Sequence, residues 1–286
     1  MIIRPLWSSY GFARQYSLCK KFFYIDCYLC NSDIGPDVEI HLLLLSMAIT
    51  LVAAALTVPA GFGLATMLTP VVLFWLPPHE AIAVVAIIHG AHNAWKLKLL
   101  RLSVDFGAVK RYGWALVVGA VIGALLHSYI PSDPLLLVVG LALVILPILS
   151  ATERWTNFRL PESEDRIGGF GSGFFGGLTG HQGALRAMFL QKRLPDKVSY
   201  AATASVLALA VDITRIPIYI IFEGSAILDE YVLILALVIS AVVGVNLGKV
   251  WLTKWKQSRI RAGILIAIVA SGLAYVVEAM ISLEIV

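Results

Sequence analysis

Long apolar runs separated by short polar connections occupy most of this chain from about residue 40 onward. Seven of these runs approach or exceed the roughly 20 apolar residues that a membrane-spanning helix needs. They cover residues 41–59, 81–97, 112–130, 135–150, 198–222, 231–251 and 260–281. The pattern predicts an all-α polytopic integral membrane protein.

Two further apolar stretches, 61–75 and 168–190, are interrupted by glycine. The first follows the sequence PAGFG at 59–63, and the second contains TGHQG at 179–183. A break leaves backbone groups unpaired, which a membrane tolerates only where the backbone is buried in protein or lines a wet cavity. Each stretch is therefore predicted to be a broken helix or helical hairpin beside such a cavity.

The same order of motifs occurs twice along the chain. After each broken stretch comes a Leu-Pro segment, LPPHEAIAVVAII from Leu76 and LPDKVSYAATASVL from Leu194. Glycines spaced by four, which allow helices to pack closely, occur at Gly119/Gly123, Gly244/Gly248 and Gly169/Gly173/Gly177. Repeated halves with broken helices are typical of secondary transporters.

The expected organisation is two repeats, each with a broken segment and three spanning helices, giving about eight helical membrane segments. The boundaries are an N-terminal extension at 1–39, a first repeat at 40–150, a cytoplasmic connection at 151–166 and a second repeat at 167–286. The extension mixes aromatic and basic residues and then turns acidic. It fits an interfacial segment, a targeting segment or a wrongly chosen start codon.

Composition supports a lipid environment. Hydrophobic residues make up 59% of the chain and charged residues 14%, whereas soluble domains carry about 25% charge. The net charge of +4 needs no nucleic acid to explain it, because cytoplasmic loops of membrane proteins are enriched in Lys and Arg. The lone CxxC at 27–30 lacks a second pair, and neither a metal nor a cofactor is predicted.

The charges of the connections predict the orientation of the two halves. Basic residues occur at 96–111, 151–166, 192–197 and 253–261, and none occurs at 131–134 or 223–230. Basic connections are expected on the cytoplasmic side. The stretch 168–190 then enters and returns on that side, and by analogy the first broken stretch enters from the other. The two repeats are therefore expected to be inverted relative to each other.

Arg215 and Asp212 lie inside an apolar run, where a charge is costly and usually faces a cavity or a partner. The planar guanidinium suits the oxygens of a small anion. Two other interpretations stay open: an intrahelical pair between the two side chains, and an arginine that reaches toward a membrane surface.

The second break contributes five further candidates. A half-helix that begins after the break would direct backbone N–H groups and a positive dipole end at an anion. The candidates are Thr179, Gly180, His181, Gln182 and Gly183. The alternative is that the side chains of His181 and Gln182 only satisfy the broken backbone.

His89, His92 and Asn93 share one helix face and are expected to oppose Asp212 and Arg215. Histidine titrates near neutral pH and is a candidate carrier of a coupling proton. Interhelical hydrogen bonding is the favoured alternative, since polar side chains commonly serve it in helix bundles.

Several of these segments resemble the sulfite exporter TauE/SafE family over residues 40–283. The residues that carry the resemblance are the two glycine-broken stretches, the Leu-Pro segments at 76–83 and 194–202, SVDF at 103–106 and DITRIPIY at 212–219. The resemblance implies a multi-pass protein of the inner (plasma) membrane that moves sulfite, a sulfonate or another organosulfur anion. Its expected partners are that small anion and membrane lipid, with a homo-oligomer left open.

A secondary transporter that works by alternating access is the leading hypothesis. An anion channel would share the fold. An intramembrane enzyme is the third class, but the chain has no HExxH and no GxSxG motif. It has no GxxxxGK[ST] motif either, so an ATPase of its own is not expected.

Overall fold

The computed structural model describes residues 36–61, 63–156, 165–190, 193–194, 196–254 and 257–283. Within these ranges all regular secondary structure is helical and no strand occurs, so the all-α prediction is confirmed. The helices are α1 (Pro36–Ala60), α2 (Leu64–Leu73), α3 (Pro78–Leu100), α4 (Phe106–Tyr129), α5 (Ser132–Thr156), α6 (Asp165–Thr179), α7 (Gly183–Leu190), α8 (Lys197–Asp229), α9 (Tyr231–Lys254) and α10 (Gln257–Ser282).

Contacts divide the chain into two units, Met1–Ser46 and Met47–Val286. The described part of the first unit is the beginning of α1. The second unit holds the rest of α1 and all the other helices. It also contains every candidate site residue.

Four helices in the described part of the chain are long and apolar enough to cross a membrane. They are Ile40–Ala60, Phe106–Tyr129, Lys197–Ser225 and Tyr231–Trp251, with shorter apolar helices at Leu64–Leu73, Ser132–Ile148 and Ile268–Ser282. Apolar side chains such as Val118 and Ile122 of α4 and Leu235 and Ile239 of α9 are exposed rather than packed inside. The chain is therefore a multi-pass membrane protein, because lipid rather than water suits such a surface.

Both predicted breaks are confirmed. Helix α1 ends at Ala60 and α2 begins at Leu64, with Gly61 at φ 81° and Gly63 at φ 110° between them. Helix α6 ends at Thr179 and α7 begins at Gly183, with Gly180 at φ 84°. Positive φ is a left-handed conformation that only glycine adopts without strain.

Helices α6 and α7 form the hairpin expected over 168–190. Gly168 lies against the ring of Phe189, and Gly176 lies against Gln182 near the break. This pairing order is antiparallel, so the hairpin enters and leaves at one end of the molecule. There the carboxylate of Asp165 accepts hydrogen bonds from Arg193 and, at 3.2 Å, from Nε of Arg111.

The glycine spacings serve close helix packing, as predicted. A Cβ atom at Gly173 would lie 1.9 Å from the carbonyl oxygen of Leu116, so α6 and α4 touch backbone to backbone. Similarly, a Cβ at Gly248 of α9 would lie 2.3 Å from the carbonyl oxygen of Ala55 in α1. The first helix of each broken pair thus packs in parallel on the Gly-xxx-Gly helix of the other half of the chain.

Helices α3 and α8 form an antiparallel pair at the centre of the molecule. His89 contacts Asp212 near the middle of both helices. Leu100, at the end of α3, shares an apolar cluster with Ala201, near the start of α8. Helices α5 and α10 are antiparallel as well, because Gly140 lies against Val276 while Gly272 lies against Leu143.

The prediction of a connection at 223–230 is wrong for most of that range. Helix α8 continues to Asp229, and within it the chain departs from helical geometry only at Glu223 (φ −120°, ψ 16°). The extra turns persist because Ile227 packs on the apolar cluster that contains Leu135 and Tyr219.

Candidate functional site

The sequence-predicted site residues are all buried and come from three elements of the fold. Helix α3 carries His89, His92 and Asn93, the break between α6 and α7 carries residues 179–183, and α8 carries Asp212 and Arg215. The central α3–α8 pair and the adjoining hairpin bring these elements together. Charged and polar side chains held inside an apolar bundle need partners or a ligand.

Arg215 is 0% exposed, and described groups of the protein occupy its guanidinium. Its Nε and Nη2 donate to Oδ1 of Asp212 at 3.1 and 2.9 Å, and Nη1 donates to the carbonyl oxygen of Gly176 at 3.0 Å. The intrahelical pair is therefore confirmed. The interpretation that Arg215 reaches toward a membrane surface is wrong, because its side chain is fully buried.

Three side chains from outside the hairpin satisfy the end of α6. A helix ends with carbonyl groups that have no partner within the helix. Arg215 donates to Gly176, the hydroxyl of Tyr219 donates to Gly177, and Nδ1 of His127 donates to Leu178 at 2.9 Å. The positive guanidinium also suits the negative end of the helix dipole. Sequence reasoning missed the parts of Tyr219 and His127, since neither lies near the break in sequence.

His181 and Gln182 do not cap the broken backbone. Among the described residues, neither ring nitrogen of His181 has a hydrogen-bond partner, and Nε2 of Gln182 has none. Oε1 of Gln182 accepts instead from Nη1 of Arg186 at 3.1 Å. The alternative that these two side chains only satisfy the backbone is therefore wrong.

His89 joins α3 to α8. Its Nδ1 lies 2.7 Å from Oδ2 of Asp212, and since a carboxylate can only accept, Nδ1 carries the proton. Nδ2 of Asn93 donates to the carbonyl oxygen of His89 at 2.9 Å. The predicted interhelical hydrogen bond to α8 is therefore confirmed for His89. It is not found for Asn93, which bonds within α3, or for His92, whose ring nitrogens have no partner among the described residues.

Arg186 is a site residue that sequence reasoning missed. It lies in α7, three residues after the break, and is 2% exposed. Its Nε has no hydrogen-bond partner within the described ranges. A cation inside an eight-residue apolar half-helix was the signal that could have identified it.

Lys96 is a second missed residue. The charge pattern predicts Lys96 in a cytoplasmic connection, but it is 3% exposed and lies on α3, four residues after His92. Lys96 and Arg186 are close enough to repel each other electrostatically. The two ring nitrogens of His92 find no partner among the residues described.

The site carries more positive than negative charge. Its buried cations are Lys96, Arg186 and Arg215, and Asp212 is its buried carboxylate in the described part of the chain. Low dielectric surroundings strengthen the attraction of such an excess for an anion. No group of three or more His, Cys, Asp or Glu residues in that part of the chain could hold a metal ion.

A small crevice lies between residues that adjoin the two helix breaks. Thr66 of α2 and His181 of the second break both line it, together with Ala184 of α7 and Leu146 of α5. The elements that follow both breaks therefore approach each other inside the bundle.

The two ends of the bundle differ in charge. Where α3 begins and α8 ends, burial and the nearby carboxylates of Glu223, Glu230 and Asp229 raise the pKa of Glu80. Burial and Asp229 also raise the pKa of Glu230. At the opposite end, where the hairpin enters and α8 begins, lie the basic residues Arg111, Arg193 and Lys197. The site lies between an acidic and a basic end.

A comparison with protein-family models finds one described as Sulfite exporter TauE/SafE, which matches residues 46–275. The matched range contains both breaks and all the site residues described above. No curated protein and no solved structure matches the chain.

Proposed function

Because the chain belongs to the sulfite exporter TauE/SafE family, a family of membrane transporters rather than enzymes, we propose that it is a secondary transporter of one small anion. The substrate class is sulfite, a sulfonate or another organosulfur anion. The membrane is the cytoplasmic (inner) membrane, with the basic end of the bundle inside.

One observation carries this proposal: a buried excess of positive charge beside a helix break. Lys96 and Arg186 lie within the bundle, and donors of Arg186 and Gln182 have no partner in the described part of the protein. Uncompensated charge at membrane depth is costly and marks ion or substrate pathways. The N-terminus of α7 adds a positive dipole end, as in other transporters with discontinuous helices.

The proposed mechanism is alternating access at the interface of two inverted repeats. The antiparallel pairs α3/α8 and α5/α10 support it, because each pair joins corresponding helices of the two halves. Helix α1 of the first half packs on α9 of the second half, and α6 of the second half packs on α4 of the first. This reciprocal packing also supports two inverted repeats. Rocking of one half against the other would open the central site to each end in turn.

The test uses the purified protein in proteoliposomes loaded with sulfite, methanesulfonate or acetate. We expect saturable flux of a sulfur oxyanion and counterflow, in which unlabelled anion on one side accelerates uptake of labelled anion from the other. A thermal-shift screen of the same anions should show stabilisation by the transported one, since a ligand of the folded state stabilises it.

Arg186→Gln tests the site directly, and Arg166→Gln at an exposed position is its matched control. We expect the first variant to abolish flux and the second to keep it. Flux that does not saturate and shows no counterflow would identify a channel. The absence of flux for every anion would refute the proposed function.

A further inference from the structure

The three buried cations of the site fall into two groups. Arg215 shares two hydrogen bonds with Asp212 and gives a third to the end of α6. Its charge is balanced, and its donors are occupied in this structure. A balanced arginine that holds a helix end in place contributes little net charge to a ligand.

Arg186 and Lys96 form the second group. No carboxylate of the described residues lies within ion-pair distance of either side chain. Both are almost completely buried, and they repel each other. An anion placed near both would turn this repulsion into two attractions.

Unpartnered polar atoms accompany this pair. Nε of Arg186 and Nε2 of Gln182 are buried donors without a partner in the described ranges, and the two ring nitrogens of His92 have none there either. Leaving such groups unsatisfied costs free energy. Oxygen atoms of a ligand would satisfy them, since Nε and Nε2 can only donate.

Resting on the proposed transport function, we propose that Arg186 and Lys96 hold the transported anion and select a divalent oxyanion over a monovalent one of the same shape. Gln182 and His92 orient the oxygens. Arg215 is a positioning residue that keeps the break in place.

Charge matching is the physical reason for this selectivity. The two negative charges of a dianion balance the positive charges of Arg186 and Lys96. A monoanion balances only one of these two positive charges. In a buried site salt screens this difference much less than it would at the protein surface. We expect at least about tenfold tighter binding of the dianion, which is a difference of roughly 1.4 kcal/mol.

The experiment measures dissociation constants of the purified protein for two matched pairs of anions. Sulfate and methanesulfonate are both tetrahedral, sulfite and methanesulfinate are both pyramidal, and each pair differs in charge. In the pair that binds, the dianion should bind at least tenfold more tightly. Lys96→Gln and Arg186→Gln should each reduce this preference to less than about threefold.

Two controls separate charge from folding. Lys98→Gln changes an exposed lysine two residues from Lys96 and should keep the preference. Lys96→Arg keeps the charge and should keep the preference too.

The outcomes distinguish this inference from the proposed function. Equal binding of the two anions in a protein that transports either of them would overturn the dianion site and leave the transporter standing. A preference that survives in both glutamine variants would do the same. A protein that neither binds nor transports any of the four anions would refute both.

Discussion

Nδ1 of His89 on α3 lies 2.7 Å from Oδ2 of Asp212 on α8, and the second carboxylate oxygen of Asp212 accepts from Arg215. One fully buried carboxylate thus joins the central helices of the two halves and also fixes the arginine that caps α6. A substitution at Asp212 should therefore disturb both the α3–α8 contact and the helix break.

Replacing Asp212 with alanine should destabilise the protein by about 3–5 kcal/mol, because it leaves Arg215 charged and buried without its partner. The double variant Asp212→Ala/Arg215→Ala should lose less stability than the sum of the two single variants. Denaturant unfolding of the three variants in detergent measures this coupling. Strict additivity would show that the two side chains do not depend on each other.

His89→Ala should lower stability by roughly 1.5–3 kcal/mol, the range for a hydrogen bond to a charged group. Because the role of His89 in the structure is a hydrogen bond between helices, the pH dependence of transport in proteoliposomes should be unchanged in His89→Ala. The pH dependence of transport by His92→Ala should be unchanged as well. A pH jump applied to both variants provides the measurement. A flattened pH profile in either one would instead assign proton coupling to that histidine.

Gly173→Ala should destabilise the bundle by about 1–3 kcal/mol or more, the usual cost of overpacking. The added methyl group would lie 1.9 Å from the backbone oxygen of Leu116, where no flexible side chain can yield. Gly263→Ala is the matched control, since nothing lies within 4 Å of its Cβ position. Alanine there should be neutral or slightly stabilising, because it favours the helix by up to about 1 kcal/mol. An equal decrease in the melting temperatures of the two variants would contradict the close α4–α6 packing.

Glu80→Gln should raise the melting temperature at pH 7 and leave it unchanged near pH 4. Burial raises the pKa of Glu80 above the ordinary value of 4.5, so the folded protein favours the protonated carboxyl group. The ionisation of Glu80 does not reduce the stability of the folded protein below pH 4.5. It lowers the free energy of unfolding as the pH rises through the raised pKa. Glutamine removes this cost at neutral pH. A melting temperature that falls at pH 7 would show that the charged carboxylate is instead stabilising.

The helix breaks and the close-packing glycines could be predicted from the sequence because their causes are local. A residue at positive φ must almost always be glycine, and a four-residue spacing brings small residues onto one helix face. Residues 179–183 and Gly173 carried these signals directly. Residues Tyr219 and His127 carried none, since their contacts with the end of α6 bridge 42 and 51 positions.

The sequence by itself determined that this is an all-helical membrane protein, where its helices break, which family it resembles and which charges lie at membrane depth on α8. These properties follow from composition and short-range spacing. Only the tertiary structure decided which buried cations are balanced. Arg215 forms an ion pair with Asp212, whereas Arg186 and Lys96, which are 90 positions apart in sequence and both buried, form none with a described carboxylate. The reason is physical: charge compensation depends on distances between packed helices, and those distances are set by the bundle as a whole.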